Sequence, residues 1–153
     1  MKKIFLLFSI ISISMITSGC NHYFKAEKIN GNNDIYYGVF NTRDKNQADV
    51  KFYKKNSIIA CDGIIVFSND PVITDKNYKR IPGKMTLGCN DGTVMDVNWL
   101  VRRTDHTTGY GKGVDQYNNI YNFTSIGKYE FVKNIKNDYK FKDIDKTEKY
   151  LKY

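Results

Sequence analysis

The sequence predicts an all-β fold, a small antiparallel sandwich or barrel of about seven to nine strands. Three observations carry this. Twelve Tyr and nine Phe stand among many Ile and Val with few Ala and Leu, a composition that suits pleated, half-buried surfaces. From Thr93 to Arg103 Met95, Val97, Trp99 and Val101 share one face and Asp96, Asn98 and Arg102 the other, interrupted by Val94 and Leu100, whereas a helix would not place Asp96 and Asn98 between those apolar residues. Turn signals also recur between apolar runs, at Lys55-Asn56, Asp62-Gly63 and Asn90-Asp91-Gly92.

The chain opens on Met1-Lys2-Lys3, then thirteen uncharged residues from Ile4 to Ile16, then Thr17-Ser18-Gly19 before Cys20. A cationic start, a short apolar run and small residues make residues 1–19 a secretory signal peptide, since a membrane span needs about 20 apolar residues. With Cys20 directly after Gly19, the segment resembles the signal and lipobox of bacterial lipoproteins, with Thr17 where the usual pattern has Leu. The resemblance implies palmitate-class acylation at the Cys20 thiol, cleavage before it, and a mature chain held by its N-terminal lipid on a bacterial membrane in the cell envelope. Asn21 rather than Asp after the cysteine favours the outer membrane if the host is Gram-negative. Polar residues 20–34, with Gly31-Asn32-Asn33, read as a lipidated tether holding the domain off the membrane.

The β-domain is expected over 35–133. Its first strand is Ile35–Phe40, followed by a charged turn to Asp49 and a strand over Val50–Lys54. Ser57–Cys61 and Ile64–Phe67 read as a hairpin about Asp62-Gly63, or as one long strand bulged at Gly63; either way Ile58 to Phe67 is expected deep in the core. Residues 68–83, holding both prolines, read as a surface loop. Lys84–Cys89 and Thr93–Arg103 are strands, and Gly109–Gly113 reads as a flexible or bulged loop. Ile120–Thr124 and Lys128–Val132 close the sheet. The polar tail, 134–153, is expected as a short helix or as disordered chain.

Removing residues 1–19, with Lys2 and Lys3, leaves 22 cations against 16 acids, a surplus of six in a chain of one-domain size. This favours anionic partners such as headgroups, acidic envelope polymers or an acidic protein. A nucleic-acid partner is not expected outside the cytoplasm, and no recognition motif for one is visible. If Cys20 carries lipid, Cys61 and Cys89 remain as an even pair in an oxidising compartment, where a disulfide is the default. With only His22 and His106 as further soft ligands, no metal or other cofactor is expected.

Among candidate sites, the segment from Asp105 to Asn119 is the best binding loop. It combines glycines that permit close approach with Asp105, His106, Tyr110, Lys112, Asp115 and Tyr117. Asp105-His106 is an acid–base pair without an evident nucleophile or orienting group, so no catalytic residue is assigned. Asp115 with Asn118-Asn119 lacks the calcium-loop pattern and reads as an Asx turn. Cys89–Gly92, Gly109–Asp115, Tyr121 and Phe123 together resemble a pattern of small envelope lipoproteins, which implies no activity. The expectation is a non-enzymatic, membrane-anchored module that binds an envelope protein or an anionic surface polymer. An inhibitor of a cell-wall hydrolase or a phage-exclusion factor, presenting residues 104–119 to a cleft, is the first alternative. A small hydrolase using His106 is the second.

Overall fold

The computed structural model describes residues 21–44, 46–74, 78–102 and 108–136. Nine strands form one antiparallel sheet: β1 (Asn21–Lys28), β2 (Ile35–Thr42), β3 (Gln47–Lys54), β4 (Ala60–Phe67), β5 (Val72–Thr74), β6 (Tyr78–Cys89), β7 (Val94–Arg102), β8 (Gly109–Asp115) and β9 (Ile120–Ile126); helix α1 (Lys128–Lys136) follows. The order β4-β3-β2-β1-β9-β8-β7-β6 closes on itself through a β4–β6 pairing, so eight strands make a barrel. The short β5 extends β6 past the end of β4, with Val72 opposite Arg80 and Thr74 opposite Tyr78.

Alternation fills the lumen. Phe24, Tyr36, Phe40, Phe52, Trp99 and Phe123 point inward with Val50, Ile65, Leu87, Met95, Val97 and Val101. Phe24 lies 5.4 Å from Phe52 and 5.8 Å from Phe123, and Tyr36 stacks on Phe52 at 4.7 Å. Eight strands enclose a lumen about wide enough for side chains alone, so this many rings fit only where facing positions are small. Gly38 provides that room for Phe24, because a Cβ there would meet its ring at 2.2 Å. The face of β7 expected to be buried, Met95, Val97, Trp99 and Val101, is buried.

A second core lies outside the barrel. Phe131 and Ile135 of α1 cover Tyr23, Tyr37, Val39 and Tyr53 on the outer face of β1–β3. This is why β2 is apolar on both faces: one lines the lumen and the other meets the helix. The expected closing strand over Lys128–Val132 is thus the start of a helix. Residues i and i+4 share a face in both a strand and a helix, so Phe131 and Ile135 fit either. Tyr129, 79% exposed, breaks the strand alternation.

Four further expectations are corrected. The tether over 20–34 ends at its first residue, since Asn21–Lys28 is a strand paired to β2 and β9, with His22, Phe24 and Ala26 inward. That alternation is weak in the sequence because His22 is polar, Ala26 small and the outward Tyr23 aromatic. The folded body therefore spans 21–136 rather than 35–133, and the rest of the expected tail lies outside the described residues, as do the signal segment and Cys20. Of the two readings of this run, the hairpin about Asp62-Gly63 fails and the single strand holds from Ala60, with Gly63 in unbroken register rather than bulged; a Cβ on Gly63 would stand 2.0 Å from the Thr86 carbonyl oxygen, so glycine marks a close approach to β6. Ile64 and Val66 face outward and Ile58 is 70% exposed, so only alternate residues of that run are core. The proline loop is largely β5 and the start of β6; Pro82 sits where β4 gives way to β5, and its carbonyl accepts a bond from the Ser68 N–H.

Cys61 and Cys89 are directly opposed on β4 and β6 and form the disulfide. It locks one of the two seams that join strands distant in sequence. Replacing both cysteines by Ala should lower stability by about 3 kcal/mol on the chain-entropy model, read as an earlier denaturant midpoint. Non-reducing peptide mapping should recover the Cys61–Cys89 pair, and free labelling of both thiols in protein taken from the cell would refute it.

Candidate functional site

The expected binding loop is mostly barrel wall. Gly109–Gly113 belongs to β8, with its glycines inward: a Cβ would meet the Trp99 ring at 2.6 Å from Gly109 and the Phe123 ring at 2.8 Å from Gly113. Their role is room for two large rings, not flexibility. Sequence reasoning missed this because alternating glycine erases the hydrophobic period that marks a strand. Tyr110 and Lys112 occupy the alternate positions and are exposed on the outer face. Tyr117, 71% exposed, lies in the β8–β9 turn, far along the strand from Tyr110. Asp105 and His106 lie outside the described residues.

Asp115 closes that turn from inside. Its carboxylate accepts bonds from the Tyr117 and Asn119 N–H groups, each at 2.9 Å, from the Asn119 amide at 2.8 Å and from the Tyr121 hydroxyl at 3.0 Å. Asn118 takes the left-handed conformation, φ 63°, as the tight Asx turn requires. Burial opposes the charged form, but the donors of Asn119, Tyr121 and Tyr117 outweigh it and hold the carboxyl below its ordinary range. Burial likewise pushes the Tyr36 hydroxyl up to about 12 and the Tyr121 hydroxyl higher still, Tyr121 raised further by Tyr36 and Asp115. These groups keep one charge state at neutral pH and form a structural clasp. His22 is buried and stacks on Phe40 at 4.8 Å. Among the described residues no group of three or more His, Cys, Asp or Glu could hold a metal ion.

Open chemistry lies on the outer face of β6–β9. A groove of about 530 Å³ crosses all four strands. Register places Lys84, Asn98, Lys112 and Asn122 side by side along one wall, and Pro82, Leu100, Tyr110 and Thr124 along the other. Backbone of Gly83, Trp99, Gly111 and Phe123, whose side-chain positions face the lumen, makes the floor. With strands about 4.8 Å apart, the groove runs about 14 Å, and Lys84 and Lys112 stand about 10 Å from one another. Among the described residues neither lysine is ion-paired. The Arg80 guanidinium lies 4.7 Å over the Tyr110 ring at the groove's edge. The nearest carboxylate along β7, Asp96, lies one position beyond the lysine wall and is engaged by the Thr86 hydroxyl at 2.7 Å. This surface can hold an extended anion with apolar faces; it holds no arranged nucleophile and base.

Of the expected site residues that are described, Tyr110 and Lys112 line this groove, and Asp115 and Tyr117 do not. Lys84, Asn98, Leu100 and Asn122 were missed, although the outward positions of the Thr93–Arg103 strand were a usable signal. A second hollow, about 540 Å³, opens at one barrel end among Phe40, Phe67 and Ile81 beneath a polar rim. No helix among the described residues is long and apolar enough to cross a membrane. Comparison with family models, curated proteins and solved structures finds no match to this chain.

The Asp115 clasp has a signed pH dependence. A carboxyl held below its unfolded value contributes stability that is full above the ordinary carboxylate range and is lost as pH falls through the folded value. Asp115→Ala should therefore cost about 2–3 kcal/mol at neutral pH, where several charge-assisted bonds are removed, and less in acid. Denaturant titration at both pH values checks this; an equal cost at each would refute it.

Proposed function

We propose that this chain is a lipid-anchored, non-catalytic binding module of the cell envelope, and that the groove across β6–β9 takes an extended anionic surface polymer. The observation that carries the reading is the groove itself: two lysines, neither ion-paired among the described residues and about 10 Å apart along one wall, face an apolar wall of Pro82, Leu100 and Tyr110. Apolar walls suit the C–H faces of sugar rings, and Asn98 and Asn122 between and beside the lysines suit hydroxyl groups. Point charges at fixed spacing favour a polymer with regularly placed carboxylates or phosphates over a single small anion. Recognition by an outer sheet face is also compatible with a lumen given over to packing. The inhibitor reading relied on residues 104–119 reaching into a cleft, and within that segment 109–115 is committed to the wall.

Two measurements test this. Acylation needs sulfur at position 20, and each buried CH₂ contributes about 0.8 kcal/mol, so the acylated wild type should stay on membranes through salt washing. Cys20→Ser should give a soluble form or an uncleaved precursor; wild type found wholly in the soluble fraction would sink the anchor. For the groove, polygalacturonate serves as the anionic probe and dextran as the neutral control. Lys84→Gln with Lys112→Gln removes two exposed charge contacts of about 0.5–1 kcal/mol each, which predicts a roughly 5- to 30-fold weaker affinity. The melting temperature should hold, because both side chains are exposed. Unchanged affinity for the acidic polymer would overturn the assignment.

A further inference from the structure

The polar wall of the groove alternates in chemistry as it crosses the strands. Lys84 pairs with Asn98, Asn98 with Lys112 and Lys112 with Asn122, so β6, β7, β8 and β9 present cation, amide, cation and amide in one row. All four side chains are exposed. Among the described residues neither asparagine side chain has a hydrogen-bond partner and neither lysine an ion-pair partner. The row is bounded on both sides. Val66 stands next to Lys84 on β4, and Glu27, held by the Lys25 ammonium at 2.7 Å, stands next to Asn122 on β1.

The acidic groups closest to the row fall beside the amides. Glu27 is directly opposite Asn122, and Asp96 lies two residues before Asn98 on the same face of β7. A negative charge on a ligand is therefore favoured at β6 and β8 and disfavoured at β7 and β9. Neighbouring strands lie about 4.8 Å apart, close to the advance of one sugar ring along an extended glycan. A glycan lying in the groove, across the strands, thus meets one strand per ring. In an extended chain of equatorially linked rings successive rings are turned over, so every second ring shows the same edge to the same wall. A chain acidic at every ring would turn half its carboxylates to the wall of Pro82, Leu100 and Tyr110, where they lose water to apolar side chains.

We infer that the groove selects a glycan in which an acidic sugar alternates with a neutral one, with the carboxylates on Lys84 and Lys112 and the neutral rings on Asn98 and Asn122. The inference rests on the anionic-polymer reading proposed above and narrows it. An ammonium group only donates and suits a carboxylate, whereas an amide both donates and accepts and suits a hydroxyl or acetamido group. Selection then comes from the order of the charges as well as their number. A wall with a cation on every strand would favour the most densely charged chain, but this one leaves every second position without a charge to pair.

The test titrates the full chain, in neutral detergent at low salt, with three hexasaccharides. Hyaluronan is acidic at alternate rings, β-1,4-linked mannuronate is acidic at every ring, and β-1,4-linked N-acetylglucosamine is neutral throughout. The hyaluronan hexasaccharide should bind most tightly, although it carries half the charge of the mannuronate one, and the neutral chain should bind least. Lys84→Gln and Lys112→Gln should each weaken hyaluronan binding about two- to five-fold. Asn98→Lys, which sets a third cation between them, should reverse the preference in favour of mannuronate without lowering the melting temperature, since position 98 is exposed. Mannuronate bound as tightly as hyaluronan or more tightly by the wild type would overturn this inference and leave the anionic-polymer reading standing. Binding of neither acidic chain, or tightest binding of the neutral one, would overturn both. A preference for hyaluronan that survives Asn98→Lys would also overturn the inference, because the alternating wall would not be its cause. The comparison of the three chains on the wild type decides the matter even where a variant fails to fold.

Discussion

Closure governs everything else in this molecule. An eight-stranded antiparallel barrel has no free edge along its closed wall, but its lumen has a nearly fixed cross-section that side chains must fill without gaps or collisions. The chain meets that constraint with rings and glycines in opposition: Phe24 over Gly38, Trp99 over Gly109 and Gly111, and Phe123 over Gly113. A uniform set of Leu or Val could not be exchanged for this arrangement without new voids, because each ring's position is defined by the missing side chain across from it. The glycines of β8 and the single tryptophan are therefore one feature of the sequence, although they stand ten or more residues apart.

Closure also creates two seams between strands that are not neighbours in sequence. At one, β4 meets β6 and the Cys61–Cys89 bridge ties the end of the ladder. At the other, β1 meets β9, and no covalent link assists. That second seam is supported from outside, since α1 follows β9 directly and lays Phe131 against Tyr23 at 4.8 Å. The helix thus acts as a clamp across the join between the N-terminal and C-terminal strands. Its apolar partners Tyr37, Val39 and Tyr53 extend the clamp over β2 and β3.

What the sequence made legible follows from these same causes. The β class, the disulfide and the inward face of β7 were readable because alternation, cysteine pairing and turn glycines are local signals. Strand β1 was not, because its lumen residues His22, Phe24 and Ala26 include one polar and one small side chain, and Tyr23 between them is buried on the opposite face. Strand β8 was hidden by the packing of its neighbours, whose rings require glycine where a reader looks for Val or Ile. Helix α1 was misread because Phe131 and Ile135 satisfy both periods. The groove could be anticipated only in part: Tyr110 and Lys112 stood out, but their alignment with Lys84 depends on the β6–β7–β8 register, which no single segment encodes.

The distribution of faces then narrows where recognition can occur. The inner surface is spent on packing, and the outer surface over β1–β3 is spent on α1. The outer surface of β6–β9 is left open, and its charges are sorted along the strands. Arg80 and Arg102 stand at the end where β1 begins, Lys84 and Lys112 at mid-height, and Asp96 toward the disulfide end. Sorting of this kind gives one side of the barrel a direction as well as a sign. Folding alone does not require it, since outward positions of a barrel strand are free to carry either charge.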